Sequence, residues 1–338
     1  MAATAKTPAT ETVEIRHWLT GEVLFSAAID VSVAPGLRIR AAVELAVASG
    51  ACLVGARLDR ARLDGASLVD ARLDGARLDG ARLDGACLVD ARLIGASLDR
   101  ARLDRASLDG ASLVDARLDG ARLVGASLDR ARLVGARLVG ASLDRASLVG
   151  ACLDGARLDR ASLIGANLIG ASLDRARLDR ASLIGASLIG ASLVGASLDR
   201  ARLDGASLVD ASLDGASLVD ASLVGASLVD ARLDGANLIG ASLDRARLDR
   251  ASLIGASIGD TKVKNIVARV TRSDGYEFIA WRTTEGGITI TAGCRTMPGT
   301  DAYREHVKSY SRRKNGTALA AETLAILDYI DARAKAVL

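Results

Sequence analysis

From Ala51 to Gly255 the chain advances in steps of five residues without an insertion or deletion, and each of the 41 steps reads Ala-x-Leu-x-x. The second place holds Arg, Ser, Cys or Asn, the fourth Asp, Val or Ile, and the fifth Gly, Arg or Asp. On an α-helix a five-residue step rotates the side chain by a net angle of about 140°, so the leucines would be spread around the axis. On a flat strand the period is two, so successive leucines would fall on opposite faces. A chain that turns a corner of about 90° in each unit satisfies both fixed positions, because Ala and Leu, two apart, then share the inward face. Four units close a square coil of 20 residues. Coils stacked as parallel strands about 4.8 Å apart make an all-β solenoid, a quadrilateral parallel β-helix of about ten coils forming a rod on the order of 50 Å long. Its core is the leucine columns sampled by Leu53, Leu103, Leu153, Leu203 and Leu253. With aromatics at 2% and three prolines in 338 residues, but half the chain apolar, such an aliphatic core is the one this composition can build.

The segments outside the repeat differ from it in composition. Residues 1–12 read as disordered. Residues 13–50 read as a β-hairpin about Thr20-Gly21 and a helix from Leu37 to Val47, a cap over the first coil that hides otherwise unpaired strand edges. The solenoid occupies 51–260. Residues 261–338 form a C-terminal α+β module, with a three-stranded meander (263–270, 276–282 and 288–292). Two helices follow, about 301–312 and 317–337, the second with Ala320, Leu324, Leu327, Ile330 and Ala334 on one face.

Chemistry is sparse. There are two histidines, His17 and His306, and four cysteines, Cys52, Cys87, Cys152 and Cys294, with no pair at metal-ligand spacing. We therefore expect no metal, no cofactor, no catalytic residue and no disulfide framework. Cys294 and His306 share the C-terminal module, but nothing positions a third group beside them. The 21 Asp residues at the fourth place read as members of solvated ion pairs with neighbouring Arg. No targeting or membrane-spanning segment is apparent, and free thiols suit a reducing, cytoplasmic setting. The units hold 27 Arg and 27 Asp, so the rod is neutral, and nucleic acid is not expected as a partner. Taking every fourth unit separates the sides of the coil. The side beginning at Ser67 is the most aliphatic and offers Val69, Val89, Val149, Ile169, Ile189, Val209 and Val229 as a contact patch. Arg304, Lys308, Arg312, Arg313 and Lys314 form a candidate basic patch on a helix. These features predict a non-enzymatic protein whose partner is a protein, or a second copy docked through the C-terminal module or the aliphatic side. Leu153→Asp should be severely destabilising, and Ser147→Asp, an outward change, nearly neutral.

The Ala-x-Leu-x-x series resembles the pentapeptide-repeat family, with Arg or Ser largely replacing the family's Asp or Asn at the second place. The resemblance implies a right-handed quadrilateral β-helix. It also implies an alternative function, since the best understood members regulate DNA gyrase by mimicking DNA with an acidic rod. The stretch from Ile15 to Ser26 followed by Ile39 to Glu44, together with segments such as FIAWRTTEGGITITAGCR, is similar to phage- and prophage-encoded proteins of this family, whose C-terminal modules have no assigned role.

Overall fold

The computed structural model describes residues 9–259, 261–273, 277–292, 295–311 and 318–336. The chain divides into two compact units, 1–176 and 177–338.

In the first unit, strands β1 (Thr10–Arg16) and β2 (Val23–Asp30) form an antiparallel hairpin, and helix α1 (Arg38–Ala48) follows. Thr10, Glu11 and Thr12, expected to be disordered, are strand residues paired with Asp30, Ile29 and Ala28. The β-branched Thr10 and Thr12 favour that extended backbone. Residues 1–8 of the segment lie outside the described residues. Hairpin and helix both lie on the first coil. The Trp18 amide donates to the Gly55 carbonyl and the Arg57 amide to the Arg16 carbonyl, both at 2.8 Å. The Arg40 guanidinium donates to the Asp64 carbonyl, and Glu44 accepts from the Ser67 amide at 3.0 Å. Gly55 is obligatory here, because a Cβ would overlap Nε2 of His17.

The repeats then coil. Isolated parallel bridges join second-place residues 20 positions apart, as in Arg57 to Arg77 and Ser127 to Ser147, so a coil is four units. Within the unit 146–150 the backbone bonding can be followed donor by donor. The Ala146 amide donates to Leu143 in the preceding unit at 3.0 Å, closing the corner. The Ser147 amide donates one coil back to Ala126, while Leu148 and Gly150 donate one coil forward to Asn167 and Ile169. Only the fourth amide, that of Val149, lacks a backbone acceptor, and the Asp129 carboxylate of the preceding coil takes it at 2.9 Å. The same side-chain bond recurs at Val124 with Asp104, Val139 with Asp119 and Ile164 with Asp144. The fourth-place Asp is thus a strut between coils as well as an ion-pair partner. Ser147, expected to be an indifferent outward position, donates its hydroxyl to Asp129 at 2.5 Å, so Ser147→Asp would set two carboxylates against each other.

Every fifth residue of the repeat has positive φ, 62° to 74° at glycine and 55° to 61° at the 17 Arg and Asp that stand there. Glycine takes this conformation freely, and other residues do so at a cost of about 1 kcal/mol. Inside, the leucines from Leu53 to Leu233 are at most 1% exposed. Burying each stabilises the stack by roughly 1.5–3 kcal/mol before entropy is counted, and each does so only through neighbouring coils.

In the second unit the coil pattern repeats from Arg177 (bridges such as Arg177 to Ser197 and Asn237 to Ser257) and runs directly into a sheet. Ser257 is both the last bridged repeat residue and part of β3 (Ser257–Ile258), which pairs with β4 (Thr261–Thr271). β5 (Glu277–Thr283) and β6 (Ile288–Ala292) continue the meander, and the expected three strands are extended by β7 (Arg295–Pro298). Pro298 closes the edge, where an absent amide leaves no ladder bond unmade. Helices α2 (Gly299–Ser311) and α3 (Ala318–Ala336) follow. Phe278, Ala280 and Ile290 face them and pack with Tyr303, Ile326, Leu327 and Ile330. On the opposite face of β5, Ile279 and Trp281 are 3% and 1% exposed. Leu243, Leu248 and Leu253 have no following coil, yet are only 7%, 3% and 1% exposed. The repeat and the sheet are joined by backbone bonds of Gly255 to Val263 and of Val263 to Ala256.

Candidate functional surfaces

The second-place ladders define four sides of the coil in the first unit. The first runs from Arg57 to Arg157, the second from Arg62 to Ser162, the third from Ser67 to Asn167 and the fourth from Arg72 to Ser172. On the first two sides Arg and Asp interlock between coils. Arg117 meets Asp99, Arg122 meets Asp104 at 2.9 Å and Arg137 meets Asp119 at 2.8 Å. Each guanidinium is about half exposed, so each pair adds only a few tenths of a kcal/mol. Where the second place is Ser, the hydroxyl donates to the same carboxylate, as Ser162 does to Asp144 and Ser172 to Asp154. Sequence spacing of 18 and 20 holds this geometry implicitly, but only a known coil length turns it into contacts.

The aliphatic patch is less continuous than the sequence implies. Val69, Val89, Val149 and Ile169 share the third side in the first unit, but Asp109 and Asp129 stand between Val89 and Val149 and bond to the following coil. Ile189, Val209 and Val229 share one side of the second unit. Val69, Ile169 and Ile189 are 38–39% exposed and the others half-buried.

Of the expected basic patch, Arg304 alone has a described side chain. Arg304 is drawn onto α3, where Asp331 accepts at 2.9 Å and Asp328 at 2.7 Å; these bonds, Asp331 first, raise its pKa further. Arg304 is therefore a cross-brace between α2 and α3, seated where Asp328 and Asp331 lie one turn apart. Lys308 lies in α2, its side chain outside the described residues, as are Arg312, Arg313 and Lys314.

Among the described cysteines Cys52, Cys87 and Cys152 are free thiols, and burial pushes the Cys152 thiol above its usual range, which disfavours the nucleophilic thiolate. Cys294 lies outside the described residues, and His306 packs edge-on to Tyr303. His17 accepts the Leu19 and Thr20 amides through Nδ1 and so shapes the hairpin tip. Among the described residues no three His, Cys, Asp or Glu side chains could hold a metal ion, and no helix is long and apolar enough to cross a membrane.

The chain is similar to several solved structures. HetL, a pentapeptide repeat protein involved in heterocyst differentiation regulation from the cyanobacterium Nostoc sp. strain PCC 7120, is 36% identical, with a TM-score of 0.57 over 65% of this chain and 97% of HetL. A pentapeptide repeat protein from the Arabidopsis thaliana thylakoid lumen is 32% identical over 26% of this chain and 61% of its own, with a TM-score of 0.25. A trypsin-treated variant of QnrB1, a plasmid-mediated fluoroquinolone resistance protein, is 19% identical over 54% and 90%, with a TM-score of 0.41. No curated protein matches the chain. The Pentapeptide repeats family matches in successive blocks from residue 51 to residue 266, more than half of the sequence, and the chain is a member of that family, whose repeats form right-handed quadrilateral β-helices.

Proposed function

We propose that the protein is a non-catalytic binding scaffold, associated with a phage or prophage, that presents the sides of its coils or its C-terminal module to a macromolecular partner. One observation carries the reading. The inward Ala and Leu are fixed in every unit, the fourth-place carboxylates are engaged as struts between coils, and the variation falls on the outward second, fourth and fifth places. The hairpin with α1 and the C-terminal module serve as the end caps that keep such a stack from associating through open edges.

The alternative reading is a DNA-mimicking regulator of gyrase, and electrostatics weighs against it. A coil rises about 4.8 Å, a length over which duplex DNA carries about three negative charges. The 27 Arg and 27 Asp of the repeat cancel. A supercoiling assay with purified gyrase separates the two: we expect no inhibition at micromolar protein. Submicromolar inhibition, relieved by salt and retained by a variant with Arg304 neutralised, would replace the scaffold by the mimic.

A further inference from the structure

The neutrality of the repeat conceals a segregation of charge in the first unit. On its first and second sides the units between Ala56 and Gly165 hold 14 Arg and nine Asp, a net charge of +5. The third and fourth sides, through Arg175, hold five Arg and eight Asp, a net charge of −3. Two adjacent faces are basic, the third is acidic and the fourth is neutral.

A second, independent observation concentrates on the corners that bound the second side, which hold five of the seven fifth-place arginines of the first unit. Arg60, Arg100 and Arg160 stand at the corner before it and Arg105 and Arg145 at the corner after it, all at the fifth place with φ of 57° to 61°. Glycine would fill each place without backbone strain, as it does in the next coil at Gly80, Gly120, Gly125 and Gly165, where the Arg stem reaches forward to within 3.7–3.9 Å of where a Cβ would stand. All five arginines are exposed, and, unlike Arg117, Arg122 and Arg137 at the second place, none has a carboxylate within ion-pairing distance among the described residues. Strained residues whose charge satisfies nothing inside the fold point to a use outside it.

We propose that this two-sided wedge, residues 56–165, binds the phosphate backbone of duplex nucleic acid by charge and not by base sequence. Guanidinium groups bind phosphate bidentately. Arg60 and Arg100, like Arg105 and Arg145, are two coils apart, about 10 Å, so they engage separate phosphates along one strand. A protein partner would need desolvated aromatic or aliphatic anchors. On these two sides the fourth place is aliphatic only at Val124, Val139 and Ile164, and no aromatic residue occurs in the repeat. The lack of aromatics also removes the stacking platform that single strands use. A second copy is disfavoured as occupant, because the basic wedge opposite an acidic side makes a head-to-tail contact that does not close.

The inference builds on the scaffold reading, and a failure of duplex binding would leave the supercoiling result untouched. The test is fluorescence anisotropy of a 20-base-pair duplex titrated with the full chain at several salt concentrations. We expect a Kd on the order of 10 µM at low salt and a log K against log salt slope of about −4.5, as neutralising about five phosphates requires. The combined change Arg60→Gly, Arg100→Gly, Arg105→Gly, Arg145→Gly and Arg160→Gly removes backbone strain, so its melting transition is retained, and it should weaken binding at least tenfold. Arg130→Gly, on a corner of the third side, should leave binding unchanged. Absence of binding at low salt, or equal binding by the five-fold variant, overturns the proposal. Binding of poly-L-glutamate in place of the duplex overturns it too and assigns the wedge to an acidic protein.

Discussion

Leu153→Asp should lower stability by several kcal/mol and abolish a cooperative melt seen by far-UV circular dichroism. Leu153 is fully buried and its amide bonds forward to Ser172 at 2.7 Å, so the new carboxylate can reach neither water nor a cation without breaking the coil. The damage is compounded because each coil is stabilised through its neighbours. The proper outward comparison is Arg132→Ser, at an exposed second place, expected within about 0.5 kcal/mol of the parent. Equal shifts for the two would contradict the assignment of inside and outside.

The second large effect lies at the other end of the chain. Trp281→Ala should cost about 3–5 kcal/mol, because Trp281 is 1% exposed, on the face of β5 opposite the one that packs on the helices. Trp281→Phe should be close to neutral. It keeps most of the packed area and removes Nε1, which has no hydrogen-bond partner among the described residues, and an unsatisfied buried donor costs about 1–3 kcal/mol. Chemical denaturation followed by circular dichroism checks both. A Phe variant as damaged as the Ala variant would show that Nε1 has a partner and that the burial argument is incomplete.

The solenoid is legible in the sequence because its period of five is incompatible with every simpler element, and because Ala and Leu leave no doubt about the inward face. The coil length of 20 then follows from geometry, and the bridges bear it out. The strut role of Asp129 is not legible, since an Asp beside an Arg in sequence also reads as a surface ion pair; only the donor accounting within a coil shows that the fourth amide needs an acceptor. Ser147 reads as indifferent for the same reason, although its hydroxyl serves that carboxylate. β7 gives little signal because Arg295–Pro298 is four residues long and ends in proline. Arg304 looks like part of a basic run until α3 brings Asp328 and Asp331 against it, a contact 24 and 27 residues distant that no local pattern reports. The charge segregation of the first unit is invisible to a sum over the whole repeat.

Amide hydrogen exchange read by NMR tests the central claim, that position within the five-residue unit decides what each residue does. Amides at the second, third and fifth places should be protected throughout the coils. Fourth-place amides should divide according to the preceding coil. Val124, Val139 and Val149, bonded to Asp104, Asp119 and Asp129, should be slow. Val114 and Val134, which follow Ile94 and Val114 and make no amide hydrogen bond among the described residues, should be fast. Asp129→Ala should release Val149 while leaving Val139 slow. Uniform protection at the fourth place, or a Val149 amide indifferent to the loss of Asp129, would contradict the account.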